Sequence, residues 1–544
     1  MHRQGVIGLH DGPAPATPAA QVELSDILIR PRSLPWIVAA FLIVTLLTYA
    51  VRKSDYDLWG HVTYGALWLT SGVISHDPYA YTTGEQLWIG HEIGAEIVSW
   101  LAYDWAGEAG LITQKMIIGI AIALIMWRTM PKDPRKTWLG LLVWLMCVHV
   151  ISLYLVVRPQ LFTYLCTAAA GFLLYRHTHR PTRLIWLLPV LAAVWTNFHG
   201  GYVVLIGLIL LHLVGPLAHW QLGRIRRAGA AIGSRPSLVL GGVLAASAVA
   251  TFVNPYGPKI WVCLYKALSN PYTKDVIREW RSLDLLHPTR QEVLFIMLLL
   301  GLATAAWGAI PWRRLLRGDS RDRADATGLL VCAVTAVMAI DSYRHIPLFA
   351  IVAAPWMLLW GYRAWRRMAD AAPIRARLFT PAVLVAVFLS LLPTLLPTVL
   401  HPEPRLAHLS PMPEGAVRYI QENRLSGNIY NGFNWGQYLL HHLYPQCKIG
   451  MDGRYDTVYS EREYVANFAF VKQGVIDRAV EPPTDFILVR SDGPANKPLR
   501  DHADWKILYE DDTARLFGRV TPLIEGSRYA MVTSYVPIAA GHFP

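Results

Sequence analysis

A short polar run near position 55 has the residue types and the spacing of a proton-transfer site. The segment SDYDLWGH contains Asp55, Asp57 and His61. If DLWGHVTYG is helical, Asp57 and His61 stand at i and i+4 and share one helix face. A carboxylate beside an imidazole can accept a proton from a hydroxyl group. Alternatively, both acids are solvated charges that end a preceding apolar helix.

His91 and Glu92 form a second candidate pair, at the start of HEIGAEIVSWLAYDW. The pair could orient a substrate, join a metal site with Asp57, or cap the helix that follows, because an acid suits a helix N-terminus. The sequence has no HExxH pattern, which excludes a zincin-type metalloprotease. No set of hard oxygen donors is evident, so we predict no metal cofactor, although a divalent ion stays possible.

Two further pairs of polar residues are candidates for contacting an acceptor or a sugar. Tyr79 and Tyr81 lie in HDPYAYT, and Asn197 and His199 lie in WTNFHGG. The tyrosines could equally be interfacial belt residues, which is the commoner role of Tyr in membrane proteins. Asn197 and His199 could simply end an apolar run.

The composition is that of a membrane protein. Of 544 residues, 53% are hydrophobic and 16% are charged, against about 45–50% and about 25% in soluble domains. The mean hydropathy is +0.31. The net charge of +12 comes mostly from Lys and Arg in short loops between apolar runs, which indicates membrane topology rather than a nucleic-acid partner. Five cysteines without CxxC spacing predict neither a disulfide framework nor a zinc site.

About eleven apolar runs are long enough to cross a hydrocarbon core of about 30 Å. They fall at 34–51, 109–127, 137–157, 160–175, 184–198, 201–219, 237–253, 291–310, 327–341, 347–362 and 378–399. Lys and Arg collect in every second loop, and the positive-inside rule makes these loops cytoplasmic. An odd number of spans then puts the C-terminal region on the other side. The fold class is therefore predicted to be a polytopic α-helical membrane protein.

Four of the basic residues on the outer side of this topology are candidates for binding an anion, because the positive-inside rule disfavours cations there. Arg158 lies in VVRPQLF, Arg344 and His345 lie in DSYRHIP, and Lys266 lies in an amphipathic stretch. Their presence there indicates an anionic partner such as a phosphate. The alternative is that the long side chains extend to lipid headgroups. Glu96, Glu279 and Arg281 add charges to the same face, without an assigned role.

Three regions are predicted along the chain. Residues 1–33 form a disordered cytoplasmic tail, residues 34–399 a transmembrane domain with a large first outer loop at 52–108, and residues 400–544 an extracytoplasmic α/β domain. In the last region EGAVRYIQENR and WGQYLLHHLY are predicted helices, and GNIYNG, CKIGMDG, DFILVRS and WKILYED are predicted strands. The charges of MDGRYD could contact an acceptor or pair within a turn, and we favour the pairing.

Several motifs together resemble a group of bacterial membrane proteins of the GT-C glycosyltransferase superfamily. They are D-x-D-x-W-x-H (Asp55 to His61), G-x-x-S-H-D-P-Y-A-Y-T (Gly72 to Thr82), W-x-x-H-E (Trp88 to Glu92), NGFNWGQYLL (431–440) and KIGMDGRYD (448–456). The resemblance covers both ends of the chain, and the middle spans match only in layout. It is specific as a set and weak for each motif alone.

The resemblance implies a bacterial inner-membrane enzyme that transfers a sugar from a polyprenyl-phosphate donor to an extracytoplasmic acceptor, a glycan, lipid or protein, with inversion. It implies that Asp57 acts as the base or positions the acceptor, with Asp55, His61, His91 and Glu92 nearby. The cations Arg158, Arg344, His345 and Lys266 would then bind the donor phosphate. The chain has Asp55-Tyr56-Asp57 where protein O-mannosyltransferases have an Asp-Glu pair, so either acid could be the base. It also lacks the WWD signature of oligosaccharyltransferases.

Two other functions are compatible with the sequence. A transporter or flippase of a lipid-linked or envelope substrate would also have polar residues within a helical bundle. Transporters commonly have internal repeats and broken helices near mid-membrane, whereas here the charges lie at one face and no repeat is evident. A non-catalytic scaffold that binds an envelope polymer is the third possibility.

Overall fold

The computed structural model describes residues 53–84, 86–129, 134–221, 235–269, 278–284, 286–316, 323–371, 407–408 and 411–520. Each predicted apolar run from 109–127 to 347–362 contains a helix. The predicted tail 1–33 and the predicted spans 34–51 and 378–399 lie outside the described residues. The count of eleven spans therefore stays a prediction.

The N-terminal two thirds of the described chain is helical. Its main helices are α1 (Leu58–Ser71), α2 (Ile93–Trp127), α3 (Pro134–Ser152), α4 (Gln160–His179), α5 (Leu187–Trp195), α6 (Tyr202–Gln221), α7 (Arg235–Ala250), α8 (Lys259–Ser269), α9 (Arg290–Ala309), α10 (Trp312–Leu316), α11 (Arg323–Asp341) and α12 (Ile346–Ala371). Short 3₁₀ turns at Arg183–Trp186, Arg278–Trp280 and Tyr343–His345 join some of them.

Four helical segments among the described residues are long and apolar enough to cross a membrane. They are Ile93–Trp127, Gln291–Ala309, Arg323–Asp341 and Tyr343–Met368. Shorter apolar helices occur at Gly140–Ser152, Arg183–Trp195, Tyr202–Pro216 and Ser237–Ala250. Such helices must satisfy every backbone group internally, which is what a hydrocarbon environment requires. The helical part is therefore that of a multi-pass membrane protein.

Helix α2 joins two segments that the sequence predicts as separate. The predicted amphipathic helix HEIGAEIVSWLAYDW runs into the apolar run 109–127, and the two meet at a break where Ala106 and Gly107 leave helical geometry. Gly107 has φ +58°, a left-handed conformation that glycine adopts without the Cβ penalty of other residues. The break lets one continuous element turn from the outer region into the bundle.

The helices enclose two hydrophobic clusters. One is formed by residues of α2, α3, α4, α9, α11 and α12, with Trp144, Phe295, Trp356 and Trp360 among its largest members. The other joins α4, α5, α6 and α7 around Trp195 and Tyr202. These clusters fix the ends of the helices, and the polar residues described below lie at those ends.

The C-terminal region is an α/β domain. Its elements are α13 (Glu414–Glu422), β3 (Gly427–Asn431), α14 (Phe433–Leu443), β4 (Cys447–Ile449), α15 (Glu461–Gln473), α16 (Asp477–Val480), β5 (Phe486–Arg490), α17 (Asn496–Arg500), β6 (Trp505–Glu510) and β7 (Ala514–Arg519). These five strands form one sheet in the order β4-β3-β5-β7-β6. Strands β4, β3 and β5 are parallel, and β7 is antiparallel to both β5 and β6. Helix α15 and strand β7 are absent from the sequence-based prediction.

The first outer loop packs into this C-terminal domain. Ala80 forms a parallel bridge with Ile449, the Ile449 N–H donates to the Tyr79 carbonyl at 3.0 Å, and the Tyr81 N–H donates to the Ile449 carbonyl at 3.1 Å. Trp59, Tyr64, Trp68 and Trp88 belong to the same buried cluster as the core of α13 and α14. A second, two-stranded sheet pairs β1 (Lys53–Ser54) with β2 (Ala407–His408). Loop and domain therefore share one hydrophobic core.

Candidate functional site

Arg158 lies at the centre of three carboxylates. Its guanidinium group forms an ion pair with Asp55, donates to Asp57 Oδ2 at 3.1 Å, and donates to both oxygens of Glu279 at 2.9 Å. Asp55 is buried, whereas about a quarter of the Asp57 side chain is exposed. A planar guanidinium with several donors is the side chain best suited to hold carboxylates in fixed positions. The arrangement leaves Asp57 accessible and fixed in orientation.

Local structure explains why the two first-loop acids reach Arg158. Asp55 follows β1, and its carboxylate accepts from the Asp57 N–H at 3.4 Å, which turns the chain into α1. Asp57 directly precedes α1, and its carbonyl accepts from the His61 N–H at 3.1 Å. Arg158 immediately precedes the first turn of α4. The predicted helical spacing of Asp57 and His61 is thus present as one helical turn.

Burial changes the acidity of Asp57. Burial is the largest effect and raises the pKa of Asp57 to about 6; His61 opposes it, while Glu279 and Asp452 add to it. Because the guanidinium of Arg158 is shared among three acids, its positive charge is not available to Asp57 alone. A carboxylate with a pKa near the working pH is well matched to accept a proton from a hydroxyl group.

Glu279 connects Arg158 to a second arginine. Burial acts to raise the pKa of Glu279, but Arg158 and Arg344 outweigh it and hold that pKa below the usual value. The Arg344 guanidinium lies 4.3 Å from the ring centroid of Trp280. The two segments are tied together, since the Ser342 hydroxyl donates to the Glu279 carbonyl at 3.0 Å. The predicted cations Arg158 and Arg344 therefore both lie beside Glu279.

A group of histidines and glutamates adjoins Asp57 on the other side. His61 Nδ1 lies 3.2 Å from Glu96 Oε1 and 3.8 Å from Glu92 Oε2. Glu92 Oε1 lies 3.6 Å from Nε2 of both His91 and His199. Although burial acts to lower it, the Glu92 charge helps to raise the pKa of His91 to about 10. Donor atoms of His61, Glu92 and Glu96 all lie within 4.8 Å of one another, so these three residues could hold a metal ion.

The C-terminal domain forms one wall of the site. A Cβ added to Gly453 would collide with the Asp57 carboxylate and would crowd the Gln437 amide. Tyr455 is buried close enough to Asp57 for that charge to help raise the tyrosine pKa, second to burial itself. The motif KIGMDGRYD therefore places the backbone of Gly453 and the ring of Tyr455 next to the Asp57 carboxylate.

Five predicted site residues lie away from the carboxylates. Tyr79 is buried, with its ring 4.7 Å from that of Tyr444, and Tyr81 hydrogen-bonds Thr484 at 2.8 Å. The Asn197 amide donates to the carbonyls of Ala193 and Val253 at 2.8 and 2.7 Å, which joins the ends of α5 and α7. His345 Nδ1 lies 3.2 Å from the Met338 carbonyl oxygen, and Lys266 is exposed on α8. Acceptor, sugar or phosphate contacts for these residues stay predictions.

Sequence reasoning gave no site role to Glu96, Glu279, Trp280, Gly453 or Tyr455. Glu92 and Glu96 stand at i and i+4 at the start of α2, so the sequence could have predicted that they share one helix face. Glu279 and Trp280 offered none, because they meet Arg158 and Arg344 only through long-range packing.

Comparison with known proteins bears on the fold. No protein-family model matches the sequence, and no curated protein sequence matches it. Among solved structures, the chain is similar to the archaeal oligosaccharyltransferase AglB from Archaeoglobus fulgidus, solved in complex with an inhibitory peptide and a dolichol-phosphate. The TM-score is 0.53 and the sequence identity is 10%, and the match covers 84% of this chain and 69% of AglB. The apo form of the A. fulgidus enzyme matches with a TM-score of 0.53 at 11% identity and the same coverage.

The chain has the GT-C fold. The resemblance inferred from the motifs is thereby confirmed at the level of fold. A further match is ArnT from Cupriavidus metallidurans, solved bound to undecaprenyl phosphate. This match has a TM-score of 0.47 at 12% sequence identity and covers 91% of this chain and 99% of ArnT. At such identities a structural match establishes fold, and the chemistry has to be argued from the site.

Proposed function

We propose that this protein is a GT-C-type glycosyltransferase that moves a sugar from a polyprenyl-phosphate donor to an extracytoplasmic acceptor. The observation that carries the proposal is the Arg158 cluster, in which Asp57, with about a quarter of its side chain exposed, lies beside Asp55 and Glu279. In this chain the cluster lies between the start of α1, the residues that precede α4 and the C-terminal domain. The Lys and Arg distribution supports an outer location for it.

Asp57 is the proposed base. The acceptor hydroxyl oxygen attacks C1 of the sugar from the face opposite the donor phosphate, the C1–O bond to the phosphate breaks, and Asp57 takes the hydroxyl proton. The polyprenyl phosphate leaves with the bonding electrons, and the configuration at C1 inverts. Asp55 is the less suitable base because it is buried against Arg158, so its role is to position that arginine.

Arg344 is the proposed cation for the leaving phosphate. Arg158 already donates to Asp57 and Glu279, so an incoming phosphate would have to displace a carboxylate to bind it. Arg344 stands at the edge of the cluster, over the Trp280 ring. A fixed cation near the phosphate stabilises the charge that develops as the bond breaks. The dolichol-phosphate bound to AglB supports a lipid phosphate as ligand of this fold.

An Asp57→Asn variant tests the proposal. In membrane vesicles that contain lipid-linked sugars, we expect the wild type to move the labelled sugar from polyprenyl phosphate to a different carrier molecule. The variant should lose about 10²–10⁴-fold of this rate, the usual contribution of a general base. An Asp104→Asn variant, which removes an exposed acid on α2, should keep it.

The same vesicles separate transfer from transport. A flippase would move the intact lipid-linked sugar across the bilayer without cleaving its phosphate bond. Label that changes leaflet but stays bound to polyprenyl phosphate in the wild type would contradict the glycosyltransferase proposal, as would full transfer by Asp57→Asn.

A further inference from the structure

The C-terminal domain has a cleft at the point where its strand order reverses. Strand β3 pairs with β4 on one side and with β5 on the other, so the chain changes direction across the sheet between β3 and β5. Ligands of open α/β sheets commonly bind in the crevice beyond the carboxyl ends of the parallel strands at such a point. We propose that this cleft binds sugar units of a glycan acceptor. The inference rests on the proposed function, whose acceptor it narrows from a glycan, lipid or protein to a glycan.

The walls of the cleft come from several elements. Gly432 directly follows β3, Arg490 ends β5, and Gly493 lies in the turn after β5; helices α14 and α15 and the first outer loop add the other walls. The unoccupied space amounts to about 510 Å³ and includes open solvent. It is therefore a cleft and not a closed cavity, which suits a ligand that continues beyond it, such as a chain of sugars.

The lining combines aromatic rings with hydrogen-bonding groups. Trp435 and Phe470 are buried, and Tyr56 is partly exposed. The Trp435 indole N–H donates to the Pro411 carbonyl at 3.2 Å, which fixes that ring. The C–H groups on the face of a sugar ring pack against aromatic faces, which carry partial negative charge. The Asn434 amide, with two donors and an acceptor oxygen, matches sugar hydroxyl groups at the rim.

The charge of the cleft favours an uncharged ligand over a phosphate. Arg490 is the one charged residue among the described residues that line it. Two of its nitrogens donate to the Asp492 carboxylate at 2.9 and 3.1 Å, which balances its charge. A guanidinium has five N–H donors, and those directed elsewhere can donate to hydroxyl groups. A phosphate would instead compete with Asp492 for the same cation.

The position of the cleft also argues against an extended peptide. Such a peptide binds most readily by adding a strand to a free sheet edge. Strand β3 is paired with both β4 and β5, and β5 is paired with both β3 and β7. The cleft lies at the ends of these strands and offers no free edge there.

Tyr56 connects the cleft to the acid cluster. It lines the cleft and stands between Asp55 and Asp57 in the chain. Neighbouring Cα atoms are about 3.8 Å apart, so an acceptor of a few sugar units reaches from the cleft to the Asp57 carboxylate. The cleft would thus hold a part of the acceptor that does not react, while the reacting hydroxyl lies at Asp57.

Binding is measured first, without any donor. The full chain is purified in a detergent that has no sugar headgroup, because a glycoside detergent would compete for the cleft. Calorimetric titration then uses four probes, the trisaccharides of glucose, galactose, mannose and N-acetylglucosamine, and a serine-rich hexapeptide as comparison. We expect the wild type to bind at least one trisaccharide and not the peptide.

Variants assign the binding to the cleft. Val471→Trp fills the space beside α15 and should abolish trisaccharide binding. Asn434→Leu should weaken it by about 3- to 10-fold, the effect of losing hydrogen bonds to an uncharged ligand. Gln473→Leu, which changes an exposed residue of the same helix, is the matched control and should bind as the wild type does. Melting curves show which variants fold, and if Val471→Trp does not, the wild type and Asn434→Leu still decide.

Transfer kinetics give a second test. With a glycan acceptor, Asn434→Leu should raise KM by the same factor as it weakens binding and leave kcat unchanged, because the cleft contacts the acceptor equally before and during the reaction. A fall in kcat at constant KM would contradict the proposal.

The two proposals fail in different ways. A wild type that binds none of the trisaccharides would overturn the glycan cleft, as would one that binds the hexapeptide in their place, or folded variants that bind as the wild type does. Trisaccharide binding that is lost in Val471→Trp would support the cleft even in a chain that transfers no sugar, and only the proposed transfer would then be wrong.

Discussion

At the scale of single residues, Arg158 holds the three acids of the site together. Three carboxylates so close together would repel one another and take up protons without a shared cation. The guanidinium of Arg158 contacts Asp55, Asp57 and Glu279. The same arginine helps to hold the pKa of Glu279 below its usual value, whereas burial raises the pKa of Asp57, the more exposed of the two first-loop acids, to about 6.

The pH dependence of transfer follows from the raised pKa of Asp57. Burial raises this pKa to about 6, so the carboxyl becomes protonated as the pH falls through 6 and can no longer accept a proton. We expect the transfer rate to rise through a midpoint near pH 6 and to level off above it. Initial rates measured over a pH series that spans this midpoint check the expectation. A rate that does not change across this range would contradict Asp57 as the base.

At the scale of elements, local patterns were predictable and long-range contacts were not. The segment DLWGHVTYGALWLTSG predicts an amphipathic helix, and α1 spans Leu58–Ser71. Apolar runs likewise predict helices, because hydrophobic length is a property of the local sequence. Glu279 is 121 positions from Arg158, and nothing in REWRS indicates that partner. The boundary between HEIGAEIVSWLAYDW and the apolar run 109–127 was predictable, but its form, a break at Ala106 and Gly107 inside one element, was not.

The turn between β4 and α15 is expected to set the position of Asp57. Gly453 leaves no room for a Cβ because the Asp57 carboxylate occupies that space. A Gly453→Ala variant should displace Asp57 from Arg158 and reduce transfer by about 10-fold or more, since small misplacements of a catalytic group cost that much. Kinetics with a matched melting curve check this. Gly171→Ala, where a Cβ on α4 meets nothing within 4 Å, is the control.

A loss of activity confined to Gly453→Ala, with an unchanged melting temperature, would support a positioning role for this turn. Equal effects of Gly453→Ala and Gly171→Ala on transfer would contradict it.

At the scale of the whole molecule, the first outer loop and the C-terminal domain form one folding unit. Arg454 of the domain donates to Asp77 of the loop at 2.8 Å and to Asp452 at 2.6 Å, and all three side chains are almost completely buried. The guanidinium also lies over the rings of Tyr64 and Trp88, at 4.7 and 4.6 Å. This geometry favours the pairing interpretation of MDGRYD, although its partner in the loop was not foreseeable from the sequence.

Breaking this buried ion pair should destabilise loop and domain together. Arg454→Leu would leave Asp77 and Asp452 buried without a cation, a change that costs about 3–5 kcal/mol in comparable sites. We expect a lower melting temperature and faster proteolysis in both regions, because the loop and the domain share one core. Arg462→Leu is the matched control, since Arg462 is 76% exposed and its ion pair with Glu481 spans 3.8 Å; exposed pairs contribute about 0–1 kcal/mol.

Faster proteolysis of the C-terminal domain alone would show that the loop is held independently of that domain. The proposal that the loop and the C-terminal domain build the site together would then be wrong.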